Sequence, residues 1–394
     1  MENDSKKETR KGPEKAILVG VATREVTPRQ AREHLEELER LAETAGAVVV
    51  DRVLQRRPSF DATTMIGEGK AREVAALVEQ YEADIVLFDE DLSGSQIKKL
   101  EEILKVKIMD RSGIILDIFA KHARTAEAKI QVEVAQLEYM LPRLTRAWTH
   151  LSRQAGGVGI GMRGPGETQL ETDRRAIRKR IADLKKKLQK VESIRTSQRD
   201  RRRPTFHAAL VGYTNAGKST LMNALTQAGV EAVDKLFATL DPTTRQLWLG
   251  GSQKAVLSDT VGFIRKLPVG LVTSFKSTLS VAAQATHILN VVDASSPDFE
   301  EQMEITARIL TELGITETPR LTVFNKIDRL EPEQLEGLRA HYSDATFISA
   351  EKKIGLEELR EKLRAGCEHA AWKETQAEAA RLESPSFKPT LHFE

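Results

Sequence analysis

The stretch Gly212-Tyr213-Thr214-Asn215-Ala216-Gly217-Lys218-Ser219 decides the fold. Two glycines separated by four residues, then Lys and Ser, make the pattern of a phosphate-binding loop. Gly212 and Gly217 let the backbone bend so that successive N–H groups face phosphate oxygens. Lys218 supplies a compact positive charge to the outer phosphates, and Ser219 offers a hydroxyl to an accompanying magnesium ion. The flanks agree with this reading. His207-Ala208-Ala209-Leu210-Val211 reads as a buried strand entering the loop, and residues 220–228 read as the helix leaving it. The helix N-terminus adds a favourable dipole for anions.

Working outward, three further strings specify the nucleotide. Asp259-Thr260-Val261-Gly262 follows the apolar run Ala255-Val256-Leu257. An Asp at a strand end can hold magnesium, usually through water, and a following Gly lets its N–H approach the terminal phosphate. Asn325-Lys326-Ile327-Asp328 follows Leu321-Thr322-Val323-Phe324. The Asp328 carboxylate can accept two hydrogen bonds from the N1–H and N2–H₂ edge of guanine, which adenine lacks. Asn325 would tie this loop to the phosphate loop, and the Lys326 stem would cover the base. Ser349-Ala350-Glu351 ends the short strand Thr346-Phe347-Ile348 and would back the base with main-chain N–H groups. Any one string could be an ordinary strand-to-helix turn; four in order, each after an apolar strand, argue for a GTP-binding domain over residues 204–366.

A segment that senses the terminal phosphate is expected at Phe237-Ala238-Thr239-Leu240-Asp241-Pro242-Thr243-Thr244-Arg245. A threonine here would coordinate magnesium and order the segment only with triphosphate bound. Thr239, Thr243 and Thr244 compete, and spacing from Lys218 favours Thr239. Lys218, Thr239 and Gly262 are thus the expected catalytic groups, and Ser219 and Thr239 the expected metal ligands. Phe263 stands where many GTPases place a Gln that orients the attacking water. Slow unaided hydrolysis, accelerated by a partner, is therefore expected. Asn215 resembles the position that binds a potassium ion in some related GTPases, so the expected cofactors are Mg2+ and K+.

The rest of the chain bounds the biology. A length of 394 residues is enough for two or three domains. The one cysteine, Cys367, excludes an internal disulfide and fits a reducing, cytoplasmic setting. No apolar run approaches a membrane span. Residues 1–15 are polar, lack the apolar centre of a signal peptide and read as a disordered tail. Residues 367–394 read as a polar C-terminal tail. Nothing demands a dimer, so a monomer is expected.

The formal net charge of +2 hides an asymmetry. Residues 174–203 hold fourteen Lys and Arg against Asp183, Glu192 and Asp200, a net +11, which leaves −9 for the remainder. Such a segment on an otherwise acidic chain points to a polyanion partner, RNA foremost, although charge runs are often only solvated helix faces. The segment also has helical periodicity. Ile177, Ile181, Leu184, Leu188 and Val191 form one apolar stripe, and Ile130, Val134, Leu137, Leu141 and Leu144 form another. Two such stripes bury each other in an antiparallel helical hairpin, expected over residues 116–203. The connection, residues 156–171, contains six glycines and a proline, and reads as a flexible tip with Arg153, Arg163 and Gln169 nearby. It could fold against RNA backbone or over the GTPase site; a second phosphate site ranks below both, because no strand precedes the glycines.

Before the hairpin, residues 16–115 alternate short apolar strands (16–21, 47–50, 85–88 and 106–109) with helical stretches (28–45, 69–82 and 93–104). A small α/β domain with a largely parallel sheet follows. Gly67-Glu68-Gly69-Lys70 is a superficial phosphate-loop match and reads better as a turn entering a helix. The expected architecture is α/β throughout: this domain, the hairpin linker, and a P-loop GTPase domain with a mainly parallel sheet.

With these residues in hand, the chain resembles the HflX-type GTPases of the translation-factor-related class, over residues 16–366. The marks are Arg163-Gly164-Pro165-Gly166-Glu167-Thr168-Gln169-Leu170-Glu171, Phe237-Ala238-Thr239-Leu240-Asp241-Pro242-Thr243 and Asp259-Thr260-Val261-Gly262-Phe263-Ile264. The resemblance implies an N-terminal domain and helical linker that bind the large ribosomal subunit and its RNA. It implies subunit-stimulated GTP hydrolysis and a role in separating stalled or idle ribosomes under stress. Two other readings stay open at this point: a ribosome-assembly or RNA-remodelling GTPase, and a nucleotide-gated RNA-binding module with negligible turnover.

Overall fold

The computed structural model describes residues 12–144, 169–199, 206–226, 236–237, 240–250, 253–267 and 281–368. They form two compact units, one built mainly before Arg195 and one mainly after it.

The first unit opens with a parallel sheet. Strands β1 (Lys15–Ala22), β2 (Val48–Arg56), β3 (Ile85–Phe88) and β4 (Lys107–Asp110) lie in the order β2-β1-β3-β4. Helices α1 (Pro28–Ala45), α2 (Glu68–Tyr81) and α3 (Gly94–Leu104) alternate with them. The central strands β1 and β3 are buried along nearly their whole length, as continuous apolar runs require when helices cover both faces. The core gathers Ile17, Val19, Val86, Phe88, Leu100 and Ile108. Strand β2 runs six residues past the apolar run that marked it in the sequence. It is an edge strand, so Asp51 and Arg52 keep access to solvent on it. Gly67 lies just before α2, so Gly67-Glu68-Gly69-Lys70 enters a helix.

Helix α4 (Arg111–His122) follows β4 directly and had no counterpart in the sequence reading. Asp110 caps it by accepting from the Gly113 N–H at 2.8 Å. Arg111 is buried and pairs with Glu37 and with Asp89, the latter at 2.7 Å. Burial pushes the Asp89 carboxyl up, but the Arg111 guanidinium, His34 and Lys266 together outweigh it and hold the group well below the usual range. Asp110 also accepts from the Tyr139 hydroxyl at 2.6 Å and from Arg143 at 2.7 Å. Those residues belong to the next element, so one fully buried carboxylate fastens it to the sheet.

That element is the hairpin. Helix α5 (Ala126–Met140) and helix α6 (Gln169–Arg199) bury Val134 against Ile181 and Leu184, with Ile130, Leu137, Leu141, Ile177 and Leu188 around them. Arg174 at the start of α6 donates to the Leu144 carbonyl just past α5 at 2.7 Å, as an antiparallel return requires. Leu141 and Leu144 are not on α5 itself. Pro142 lacks an N–H for the helical ladder, and residues 141–143 tighten into a 3-10 turn. The tip, residues 156–168, with Arg153 and Arg163, lies outside the described residues; Gln169, Leu170 and Glu171 open α6.

The second unit is a six-stranded sheet of order β10-β9-β8-β5-β7-β6. Its elements are β5 (His207–Val211), α7 (Lys218–Thr226), β6 (Thr243–Gly250), β7 (Gln253–Asp259), β8 (His287–Asp293), α8 (Phe299–Glu312), β9 (Arg320–Asn325), α9 (Pro332–His341), β10 (Thr346–Phe347) and a helix α10 over residues 356–368. All pairings are parallel except β6 with β7. Leu210, Leu221, Leu257, Leu289, Val323 and Leu359 meet in its core. The chain leaves β5 at the point where strand order reverses, with β7 on one side and β8 on the other. Open α/β sheets place ligands outside the carboxyl ends of strands at such a point.

Candidate nucleotide-binding site

The loop after β5 has the backbone its glycines foretell. Gly212 has φ +144° and Gly217 φ +90°; a Cβ on Gly212 would strike the Val291 carbonyl, and one on Gly217 the Asn325 side-chain amide. Asn215 is also left-handed, at φ 63°. Asn tolerates that conformation better than most residues, which gives it a backbone role whatever else it does.

Lys218 opens α7 and turns its ammonium back on the loop, donating to the Gly212 carbonyl at 3.1 Å and the Tyr213 carbonyl at 2.8 Å. Burial pushes its pKa down to about 8; Asp259 works against that shift and Lys326 with it. A buried cation held only by carbonyls is poised for an anion, whose charge would restore the protonated form. Next to it, the Ser219 hydroxyl donates to Asp259 at 2.6 Å. These are hard oxygen donors at the mouth of a phosphate loop, the set that suits Mg2+ and its retained waters. Ser219 would hold such an ion directly and Asp259 through water, and the ion would neutralise charge on the bridging phosphates.

The Asp259–Gly262 string is knitted to the loop by main-chain bonds. Phe263 N–H donates to the Gly212 carbonyl at 3.0 Å, and Thr214 N–H to the Phe263 carbonyl at 2.7 Å. Thr260 donates its hydroxyl to the Leu210 carbonyl at 2.7 Å, and Val261 is buried. Phe263 is 1% exposed, and its buried apolar ring has no group that could hydrogen-bond an attacking water. Arg265 N–H donates to the Tyr213 hydroxyl at 2.8 Å.

The base-reading side is equally tied in. Asn325 donates to the Ala216 carbonyl at 2.9 Å and accepts from Ala350 N–H at 2.9 Å, so one amide joins the phosphate loop to the Ser349–Glu351 loop. Ser349 is buried and accepts from Lys352 N–H at 3.1 Å, while Glu351 is exposed. Ile327 is buried, and the next side chain, Asp328, is exposed on the 3-10 turn Ile327–Arg329. It is therefore open to the two donors of a guanine edge. Lys326 is left-handed at φ 63° and pairs with Asp293 at 2.7 Å. Asp293 was not singled out in the sequence. Its signal is the same as for Asp259: an Asp closing an apolar strand, here β8.

The phosphate-sensing segment is described only in part. Phe237 and Leu240 are buried and Asp241 is half-buried; Ala238 and Thr239 lie outside the described residues. Of the competing threonines, Thr243 and Thr244 lie on β6, and the Thr244 hydroxyl shares a hydrogen bond with Ser258 at 2.8 Å. Among the described residues no His, Cys, Asp and Glu cluster of metal-site size occurs, and no helix is long and apolar enough to cross a membrane.

Comparison with known proteins places the chain among GTPases. Residues 18–120 match the family described as GTP-binding GTPase N-terminal, residues 122–202 the GTP-binding GTPase middle region, and residues 207–326 the 50S ribosome-binding GTPase family. The chain is 48% identical to GTPase HflX of Caldanaerobacter subterraneus over 375 residues, covering 95% of this chain and 84% of the relative. It is 44% identical to GTPase HflX of Escherichia coli over 352 residues, covering 88% of this chain and 81% of the relative. A solved GTP-binding protein from Sulfolobus solfataricus, in complex with GDP, aligns at 26% identity with a TM-score of 0.46, covering 91% of this chain and 99% of the other.

Proposed function

Because the chain belongs to the HflX family of GTPases, and so hydrolyses GTP, we propose that it binds the large ribosomal subunit and helps dissociate or rescue stalled or idle ribosomes. In this reading hydrolysis is stimulated by the subunit and sets the time of release. The reaction joins a water oxygen to the terminal phosphorus and breaks its bond to the bridging oxygen, giving GDP and phosphate. Lys218, the Gly262 N–H and the loop N–H groups stabilise the charge on the transferring phosphoryl group. The Thr239 segment senses the terminal phosphate and relaxes when it leaves.

The observation that carries this reading is the face of α6. Ile181 and Leu184 are buried against α5, and Arg180 and Lys185 beside them are paired with Glu133 at 2.8 Å and Glu138 at 2.7 Å. On the opposite side, Arg175, Lys179, Lys186 and Lys190 are exposed at helical spacing. That stripe of cations, about 22 Å long at 1.5 Å per residue, fits the phosphate backbone of RNA. The buried Phe263 adds support, since a site without a water-orienting side chain leaves room for a partner to complete it.

The test is co-sedimentation of the full chain with large subunits in the presence of a non-hydrolysable GTP analogue, GTP or GDP. Retention with the analogue and release with GDP is expected. Equal retention in all three would remove the timer from the account. Accumulation of subunit precursors in a deletion strain would move the reading to ribosome assembly. For the potassium ion expected beside Asn215, the added charge would speed turnover in potassium over sodium chloride; equal rates would remove it.

A further inference from the structure

The Thr214 hydroxyl has no assigned role, and it is an anomaly. Thr214 is 7% exposed, and its Oγ1 is buried with no hydrogen-bond partner among the described residues. Buried hydroxyls are nearly always paired, because an orphaned one loses its water without replacement. Its neighbours in the same loop are paired: Tyr213 through its hydroxyl to Arg265 N–H, Lys218 to two carbonyls, Ser219 to Asp259.

The position of the orphan is informative. A Cβ placed on Gly262 would lie 2.8 Å from Thr214 Cα, 2.9 Å from Thr214 Cγ2 and 3.0 Å from Lys218 Nζ. Thr214 and the Lys218 ammonium thus both lie close against Gly262. Two of the three, the Gly262 N–H and the Lys218 ammonium, are the groups assigned above to the terminal phosphate. The Lys218 ammonium is bonded back to the loop carbonyls, and an arriving phosphate would draw it away from them.

We propose that the Thr214 hydroxyl is a ligand of the terminal phosphate, donating to one of its oxygens in the GTP state and losing that partner when GDP remains. This rests on the assignment of Lys218 and Gly262 to that phosphate. Thr214 then gives the site a means of telling GTP from GDP, and it does so from the loop itself. The unsatisfied hydroxyl of the nucleotide-free protein is its cost, and GTP removes it.

The test uses the full chain with Thr214→Val, which keeps the shape and removes the hydroxyl, Thr214→Ser, which keeps the hydroxyl, and Lys218→Met as a control on the site. Affinities for GDP and for a non-hydrolysable GTP analogue are measured with the melting temperature of each nucleotide-free protein. Thr214→Val is expected to weaken analogue binding by roughly 10-fold, the loss of a hydrogen bond to a charged group. GDP affinity should change less than about 2-fold on the same grounds. The nucleotide-free melting temperature should rise, and Thr214→Ser should restore the preference for the analogue. Equal weakening of both nucleotides, or of neither, would overturn the proposal. If Thr214→Val does not fold, Thr214→Ser decides: loss of the preference despite a retained hydroxyl would contradict it. If Lys218→Met still binds the analogue, the assignment of the site falls; if it does not bind while Thr214→Val behaves as the parent, only the Thr214 inference falls.

Discussion

Lys218 and Asp328 carry the two ends of the nucleotide, and each makes a separate prediction. Lys218 is depressed to about 8 by burial, while phosphates at van der Waals distance would return it toward the ordinary lysine value. The free protein therefore binds fewer protons than the complex above pH 8, and nucleotide binding takes up a proton there. GDP affinity is full below that pH and should decline above it, with a slope approaching one proton between pH 8 and 9, as calorimetry in buffers of different ionisation heat would show. A pH-independent affinity would contradict the assignment of Lys218. At the other end, Asp328→Asn replaces one acceptor oxygen by a donor facing guanine N–H groups. GTP affinity should fall by at least ~100-fold and affinity for xanthosine triphosphate should rise, because a mispaired polar group discriminates strongly. At this scale the sequence is highly legible. Phosphate chemistry permits few residue types, so Gly212, Gly217, Lys218, Ser219, Asp259, Asn325 and Asp328 announce themselves. Asp293 does not, because an Asp at a strand end is ordinary until its neighbours are known.

The hairpin tests the account at the level of elements. The seam Val134–Ile181–Leu184 is small, so Leu184→Ala should cost about 2–5 kcal/mol in denaturant unfolding of the first unit. On the far side of α6, Lys186→Glu with Lys190→Glu should leave folding and basal GTP turnover unchanged. The same pair should lower affinity for large subunits and reduce the slope of log affinity against log salt by roughly 1 for each phosphate no longer neutralised. An unchanged slope would show that this stripe is only solvated. At the start of α4 in the same unit, Arg111→Met removes the buried cation that Glu37 and Asp89 share, and should cost about 3–5 kcal/mol. The period of the apolar stripes revealed the hairpin, since buried seams repeat at the helical period whatever the partner. Helix α4 escaped notice because it is buried along most of its length, Arg111 and Ser112 included, so its polar residues do not mark out a solvent face. Strand β2 read short because an edge strand tolerates the charges that end a buried one.

Over the whole molecule, the family comparison and the sheet topology make the chain a P-loop GTPase joined to an N-terminal α/β and hairpin unit. The order of the six strands puts the four nucleotide strings at one set of strand ends, and chain order alone could have told that, because each string closes a strand. Residue 263 is where the whole-molecule claim becomes quantitative. A buried Phe cannot orient water, so the isolated chain should turn over GTP slowly, and in the proposed function a partner would supply what is missing. Phe263→Gln would not repair this if the side chain stays in the core; it should instead destabilise the second unit by burying an amide in place of a ring.

The deciding measurement is GTP turnover by the full chain alone, with large ribosomal subunits, with small subunits and with free ribosomal RNA. Strong stimulation by large subunits alone is the expected result, and it would make the subunit the missing part of the catalytic site. Equal turnover in all four conditions would contradict the account and leave a GTPase whose activity owes nothing to the ribosome.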